Sequence, residues 1–277
     1  MQDKPASDAA FDAVAAGYDL EFTETAVGKL QRNQVWQALQ PILPPQGKKV
    51  LELNCGTGAD ALWMCAHDCQ VLATDISPNM VAITQEKAQK TGNTTQLTTS
   101  VCAIENLSEL AHHGPFDLVF SNFGGLNCVS PAALQRAGKD LHALLQPGGT
   151  LAVVVMGRFC IWEILYFLAK GQFKTAFRRF SRKPVWAMLD GAAQIETWYY
   201  RPNELQQLFS TQANWRRVEL QAIGIALPPS YLNPFFEKRP ALLSWLNRLE
   251  QKARQAYWAR FSDHYWMVFE ADAEQKS

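Results

Sequence analysis

From residue 49 onward, short apolar runs alternate with stretches in which apolar residues recur at helical spacing. The first five apolar runs cover residues 50–53, 71–74, 97–102, 116–121 and 151–156. Strands that alternate with helices in this way form a parallel sheet with crossover helices on its faces. The pattern therefore predicts a doubly wound, Rossmann-like α/β fold.

Helical periodicity also precedes and interrupts this alternating pattern. Residues 6–16 and 24–40 are predicted helices, and strands are predicted near 215–227 and at 264–270. With these two strands the sheet has seven, mostly parallel, and carries a helical cap rich in aromatic residues. The predicted organisation is N-terminal helices over the cofactor site (1–45), an α/β core (46–156), the helical cap (157–200) and the C-terminal part of the sheet (201–277) with a helical insertion (228–262).

Composition places the chain among folded proteins and narrows its partners. Hydrophobic residues make up 48% and charged residues 19%, enough to bury a core. Lys plus Arg and Asp plus Glu each number 26, so no overall positive field attracts nucleic acid. The six cysteines are not densely paired, and no signal peptide or spanning helix is evident. These features predict a cytoplasmic protein that does not bind nucleic acid, while no pattern specifies its oligomeric state.

A glycine-containing loop follows the first predicted strand and opens a helix. Gly56 and Gly58 allow a tight turn and close approach of a ligand to the backbone. Asp75 ends the second strand, 19 residues after Gly56, where a carboxylate accepts hydrogen bonds from ribose hydroxyls. Glu52 lies within the first strand and needs a partner there, because an unpaired buried carboxylate is costly. The glycine pair alone also suits a purely structural turn.

Four segments in order carry a resemblance to a known family: 50–58, 73–80, 116–122 and 145–151. They resemble the motifs of class I S-adenosylmethionine-dependent methyltransferases, most of all the ubiquinone and menaquinone biosynthesis type. The resemblance covers roughly residues 10–156. It implies S-adenosylmethionine as cofactor and S-adenosylhomocysteine as product.

The resemblance also implies roles for individual residues. It places Gly56 and Gly58 against the methionine part of the cofactor with Glu52 nearby, and Asp75 on the ribose. Ile76 and Met80 would flank the adenine.

At other positions this sequence departs from the family pattern, or the expected role is supported by fewer matching residues. Cys102 stands where relatives usually have an acidic residue, so the backbone of Ala103 and Ile104 is the expected adenine reader. Asn54 replaces a usual Gly and is a candidate contact. Tyr18 belongs to a segment that folds over the cofactor in relatives. Arg32 is a candidate for the cofactor carboxylate, with a solvated helix face as the alternative.

The acceptor site is expected at the carboxyl ends of the strands. Asn122, Phe123 and Asn127 are candidates for its floor, with Asn122 also a cofactor contact, and Tyr200 is a candidate from the cap; each also suits a turn or packing role. His264 begins the last strand with no evident partner in the sequence. No catalytic base is assigned.

Two other functions and one metal site compete with this interpretation. Residues 56–61 also fit the dinucleotide fingerprint, and Tyr166 and Lys170 have the Tyr-x-x-x-Lys spacing of short-chain dehydrogenases, so an NAD(P)-dependent oxidoreductase is the alternative enzyme. A non-catalytic subunit that binds the cofactor or a partner is the alternative outside catalysis. Cys65, His67 and Cys69 spread around their predicted helix, which favours packing over a metal site.

The cap combines aromatic and basic residues at helical spacing between 162 and 183. One interpretation is an amphipathic lid with a solvated basic edge. The other is a peripheral contact with an anionic membrane or an anionic amphiphile. Together with the aromatic content, the cap predicts a small acceptor that is apolar or amphiphilic, aromatic or lipid-like.

Overall fold

The computed structural model describes residues 7–189 and 193–271. It contains a seven-stranded sheet with the order β3-β2-β1-β4-β5-β9-β8 and a separate two-stranded sheet, β6-β7. The strands are β1 (Lys49–Leu53), β2 (Gln70–Asp75), β3 (Leu97–Val101), β4 (Phe116–Ser121), β5 (Leu145–Met156), β6 (Val185–Leu189), β7 (Ala193–Thr197), β8 (Trp215–Ile223) and β9 (His264–Ala271). The predicted seven-stranded, mostly parallel sheet is confirmed.

One strand of the main sheet runs against the others. β1 to β5 pair in parallel, whereas β9 lies antiparallel between β5 and β8. The first residue of β9, His264, is therefore opposite the last residues of its neighbours, Met156 and Ile223. Because the carboxyl ends of the parallel strands form the binding edge of such a sheet, the start of β9 lies at that edge too.

Helices cover both faces of the sheet. They are α1 (Ser7–Val14), α2 (Ala26–Leu39), α3 (Ala59–Cys65), α4 (Pro78–Thr91), α5 (Pro131–Leu144), α6 (Ile161–Ala169), α7 (Phe173–Ala176), α8 (Pro202–Phe209), α9 (Asn233–Phe236) and α10 (Pro240–Lys252). Hydroxyl caps fix three starts: Thr25, Ser77 and Ser130 each accept a backbone N–H from the first turn of α2, α4 and α5. Two of these caps border the binding edge or its cover.

The sheet core divides into two layers because side chains alternate along buried strands. On β5, Leu151, Val153 and Val155 face a cluster with α5 and α8, whereas Ala152 and Val154 face a cluster with α2 and α3. All five are fully buried. No helix within 7–189 and 193–271 is long and apolar enough to cross a bilayer.

The cap differs from its predicted all-helical form. Helical structure continues only to Ala176 and a short 3₁₀ turn at 178–180, after which β6 and β7 form an antiparallel hairpin. Gly171, with φ of +69°, separates α6 from α7, so the aromatic residues of 162–183 do not share one continuous helical face. The helical expectation was wrong for 185–189 and 193–197, because pairing between two segments overrides local periodicity.

Candidate active site

The glycine loop, residues 54–58, is tied to the end of β2 by Asp75. One carboxylate oxygen of Asp75 accepts from the backbone N of Gly56 and the other from that of Ser77, both at 2.9 Å. Burial raises the pKa of Asp75, and these two N–H donors oppose the rise. A carboxylate has about four acceptor positions, so Asp75 retains capacity for further donors such as ribose hydroxyls.

Glycine is needed at the two loop positions for different structural reasons. A Cβ on Gly58 would lie 2.5 Å from Cγ2 of Thr84 on α4, so this glycine permits close packing of loop and helix. A Cβ on Gly56 would meet only the ring of Tyr18, at 3.8 Å, so Gly56 faces the site itself. Asn54 has φ of +53° and packs against Gly125, where an added Cβ would lie 2.4 Å away.

Asp60 joins several candidate residues below the glycine loop, a role that no residue pattern indicated. It pairs with Arg32, accepts from Nε1 of Trp36 at 2.7 Å and accepts from Nδ2 of Asn122 at 2.8 Å. Glu52 lies beside this group and is 1% exposed. Burial raises the pKa of Glu52 well above its usual range, and the charge of Asp60 adds to the rise.

The polar groups at this point fit the methionine part of S-adenosylmethionine. Oε2 of Glu52 and Nε of Arg32 are buried and have no hydrogen-bond partner among the described residues. A carboxyl oxygen suits the cofactor ammonium, and a guanidinium N–H suits its carboxylate. When bound, the cofactor would supply an electrophilic methyl group; Glu52, Arg32 and Asp75 would hold its charged and hydroxyl groups.

The N-terminal segment closes over this site. Val14 and Ala15 pack against Met80, and the ring of Tyr18 covers Gly56. The space left beside the loop is about 20 Å³, roughly the room of one water. A cofactor at this position would therefore require Tyr18 to move outward.

The residues expected to surround the adenine lie next to Asp75. The backbone N of Cys102 donates to the carbonyl oxygen of Asp75 at 2.9 Å, which brings the segment after β3 to the same edge. Ile76 and Ala103 are half-buried, and Ile104 is buried. Their roles in binding adenine stay a prediction.

A second, larger cavity of about 350 Å³ lies between the sheet edge and the cap. We call it the cap cavity. Tyr18 and Phe123 line both it and the space beside the glycine loop, so the two compartments adjoin. The remaining apolar lining is Val14, Phe22, Met156, Ala187, Met188 and Pro229. The remaining polar and aromatic-hydroxyl lining is Glu21, Gln31, Glu163, Arg178, Arg179, Thr197, Tyr199, Ser230, Tyr231, Asp263 and His264.

A buried chain of charged groups forms the polar wall of the cap cavity. Glu163 accepts from Nε of Arg178 at 2.8 Å and from Nε of Arg179 at 2.9 Å. Arg179 also donates from Nη2 to Asp263 at 2.7 Å. Nδ1 of His264 lies 3.3 Å from Oδ2 of Asp263, close enough for an ion pair when the imidazole is protonated, but the two atoms are not hydrogen-bonded. Burial alone would raise the pKa of Asp263, but His264 and Arg179 outweigh it and hold the pKa well below its usual range.

This polar wall was missed at the sequence level. His264 had no evident partner there, yet its neighbour Asp263 is that partner, and the antiparallel direction of β9 puts both at the binding edge. The signal was the Asp-His pair directly before a closing antiparallel strand. Of the predicted basic edge of the cap, Arg178 pairs inward with buried Glu163, as does its neighbour Arg179, which was not part of that prediction.

The four candidate acceptor residues separate into two pairs. Asn122 and Phe123 lie at the glycine loop, and Phe123 also lines the cap cavity. Asn127 and Tyr200 do not line that cavity. Asn127 is fully buried and uses its amide on Met156 and Trp198, and the hydroxyl of Tyr200 donates to the carbonyl of Val129 at 2.6 Å. These two side chains connect segments of the fold, and their expected acceptor role stays a prediction.

The residues of the alternative dehydrogenase interpretation lie elsewhere. Nζ of Lys170 donates to the hydroxyl of Tyr166 at the outer end of α6. Tyr166 lines an apolar groove with Trp162 and Phe235, and neither Tyr166 nor Lys170 lines the space at the glycine loop. The spacing of these two residues therefore does not produce a dehydrogenase site.

Comparison with known proteins agrees with this geometry. Residues 50–149 match the family model described as methyltransferase domain. The chain is 27% identical over 157 residues to a demethylmenaquinone methyltransferase of Clavibacter sepedonicus, covering 52% of this chain and 56% of that protein. It is 30% identical over 183 residues to a malonyl-[acyl-carrier protein] O-methyltransferase of Enterobacter lignolyticus, covering 66% of this chain and 62% of that protein. The chain thus spans less than two thirds of the length of these relatives.

A solved structure extends the likeness to the whole fold. The CcbJ methyltransferase of Streptomyces caelestis superposes with a TM-score of 0.62 at 17% identity, covering 97% of this chain and 100% of that one. At this identity the likeness concerns the fold. The chain is therefore similar to methyltransferases in residues 50–149 and in its fold.

Proposed function

We propose that the chain transfers a methyl group from S-adenosylmethionine to a small molecule held in the cap cavity. The observation that carries this proposal is the junction of two compartments, one at the glycine loop and one under the cap, which share Tyr18 and Phe123. A cofactor in the first compartment would present its methyl group to a molecule in the second. Methyl transfer needs such a close and water-poor junction, because the protein contributes mainly positioning.

The cap cavity supports a small acceptor with an apolar, preferably aromatic, face. Its volume of about 350 Å³ lies in the range of small-molecule sites. Phe22 and Phe123 contact edge to face at 5.3 Å and offer one wall for a flat ring. The lining holds three carboxylate side chains against two arginines, so it does not attract the phosphates of nucleic acid. The two named relatives act on different acceptors, so the choice of acceptor class rests on this cavity.

The cofactor assignment is tested by calorimetry of S-adenosylhomocysteine and, in parallel, NAD. We expect S-adenosylhomocysteine to bind and NAD not to bind. The Asp75→Asn variant should bind S-adenosylhomocysteine on the order of ten- to a hundred-fold more weakly, because hydrogen bonds to a charged group contribute about 1.5–3 kcal/mol. The control is Asp140→Asn on α5, and thermal melts check that both variants fold.

Preference for NAD would return the glycine loop to the oxidoreductase alternative. Binding of S-adenosylhomocysteine without transfer of a labelled methyl group to any small acceptor would instead favour the non-catalytic alternative. An affinity unchanged by Asp75→Asn would remove the ribose role from Asp75.

Location and membrane contact are part of the proposal. Four of the six free cysteines are buried, which suits a reducing cytoplasm.

Leu165 and Phe173 on the outer cap are 59% and 66% exposed, beside exposed Lys170 and Lys174. Apolar side chains flanked by lysines bind anionic bilayer surfaces. We expect the protein to co-sediment more with phosphatidylserine vesicles than with phosphatidylcholine vesicles. The Phe173→Glu variant should co-sediment less with the phosphatidylserine vesicles. Equal co-sedimentation of the unmodified protein and the variant would contradict the membrane contact.

A further inference from the structure

We propose that His264 is the general base of the reaction and that the acceptor is a neutral phenol, whose hydroxyl oxygen receives the methyl group. This inference rests on the proposed function and names its acceptor class and catalytic residue. It is carried by the position of His264 at the junction of the two compartments and by the buried chain of charged groups behind it.

The position of His264 follows from the direction of β9. Its register opposite Met156, which also lines the cap cavity, puts the imidazole at the binding edge. The ring contacts Phe123 edge to face, with centroids 5.5 Å apart. Phe123 lines the glycine-loop compartment as well, so the imidazole is one aromatic ring away from the place where methyl donor and acceptor meet.

A chain of charged groups lies behind His264, on the side of Nδ1. Asp263 faces Nδ1 at 3.3 Å, which directs the opposite ring nitrogen, Nε2, away from that carboxylate. Asp263 is held in turn by Arg179, which contacts both its carboxylate at 2.7 Å and its carbonyl oxygen at 3.0 Å. Glu163 anchors Arg179 from α6. The negative charge of this carboxylate, 3.3 Å from Nδ1, stabilises the imidazolium formed when the other nitrogen accepts a proton.

The charges around His264 favour a neutral acceptor. The ionisable groups that share the cavity with it, from every surrounding segment, are Tyr18, Glu21, Glu163, Arg178, Arg179, Tyr199, Tyr231 and Asp263. The lining has three carboxylates and two guanidinium groups, so a proton on His264 brings its net charge to zero. An anionic acceptor would instead be repelled by the excess of carboxylates. Burial raises the pKa of both Tyr199 and Tyr231, so these hydroxyls stay protonated at neutral pH and do not compete as bases.

The reaction balances with these groups. As the phenolic oxygen forms a bond to the methyl carbon, the carbon–sulfur bond breaks and its electron pair stays on sulfur, giving S-adenosylhomocysteine. The phenolic proton passes to Nε2 of His264 and then to water. Proton removal matters for a neutral phenol, whose pKa is about 10, and hardly for a phenol already ionised at neutral pH.

The test compares His264→Gln with a control, His112→Gln, whose side chain is exposed before β4 at the opposite edge. Labelled S-adenosylmethionine is the donor, and phenol and 4-nitrophenol are the probe acceptors. We expect His264→Gln to slow methylation of phenol by about 10²- to 10⁴-fold and of 4-nitrophenol by less than about tenfold. S-Adenosylhomocysteine binding should be unchanged in both variants. Equal losses for the two probes, or no loss, would overturn the proposal.

A measurement on the unmodified protein keeps the proposal testable if the variant does not fold. The kcat/KM for phenol should fall towards acidic pH, because imidazolium cannot accept a proton. A flat profile there would overturn the assignment of His264. Transfer only to amine or thiol probes, or to none, with S-adenosylhomocysteine still bound, would overturn this inference and leave the cofactor assignment standing. Failure to bind S-adenosylhomocysteine would overturn both.

Discussion

Replacing Glu250 by Gln tests whether one buried carboxylate holds a wall of the cap cavity in place. Glu250, on α10, is fully buried. One of its oxygens accepts from the backbone N of Gly224 at 2.7 Å and, at a longer 3.4 Å, from that of Ile225. The other accepts from Ala226 at 2.7 Å and Leu227 at 2.9 Å. The chain then continues directly into the cavity lining at 229–231.

The magnitude follows from what a glutamine side chain can accept. Its carbonyl oxygen replaces one carboxylate oxygen, but its NH₂ group would face two backbone donors. Each buried donor left without an acceptor costs about 1–3 kcal/mol, so the loss is about 2–6 kcal/mol. At about 2–4 °C per kcal/mol, as for domains of 150–250 residues, the melting temperature should fall by roughly 5–20 °C.

Thermal melts of Glu250→Gln and of a control, Glu237→Gln, measure this effect. Glu237 is exposed in the same insertion, so its replacement should leave the melting temperature nearly unchanged. We also expect weaker acceptor binding in Glu250→Gln with S-adenosylhomocysteine affinity retained, because the 224–231 segment borders the acceptor side. A melting temperature of Glu250→Gln equal to that of the unmodified protein would refute the reasoning, since the burial penalty of the carboxylate would then cancel its bonds.

Two further predictions concern the glycine-loop compartment. Because burial and Asp60 raise the pKa of Glu52, its contribution to stability is present at low pH and is lost as the pH rises through that raised pKa. Glu52→Gln should therefore match the unmodified protein in acid melts and exceed it in alkaline ones; a pH-independent difference would contradict this. Gly58→Ala places a Cβ 2.5 Å from Thr84, and we expect a loss of about 1–3 kcal/mol beyond that of Gly47→Ala, which has a similar φ of +78° but no neighbour within 4 Å. Equal losses in chemical denaturation would attribute the effect to backbone strain alone.

Much of the cofactor compartment could be predicted from the sequence because its parts are local. A short apolar run, a turn that needs glycine and a helix start lie within residues 50–60, and their backbone geometry follows from residue type. Asp75 could be placed because the parallel pairing of β1 and β2 fixes which strand ends meet. Even here, the sequence could not show that Gly58 serves packing against Thr84, since that contact depends on where α4 lies.

The acceptor side could not be predicted in the same way. The side chains of Asn127 and Tyr200 donate hydrogen bonds to backbone carbonyls of the fold. In the cap, the β6–β7 hairpin stands where a helix was predicted. His264 gains its neighbours only when β9 inserts antiparallel between β5 and β8. Each outcome depends on how inserted segments fold back onto the sheet, which residue spacing does not encode.

By itself, the sequence determined the sheet and the glycine loop, because periodicity and turn chemistry act over a few residues, and the resemblance of its motifs to a known family indicated the cofactor. The tertiary structure alone decided which charged residues meet. Glu163, Arg179 and Asp263 come from three separate segments, and a charge is stable inside the protein only where folding brings it a partner. The physical reason for the difference is distance along the chain: local geometry follows from local residues, whereas buried ion pairs follow from long-range packing.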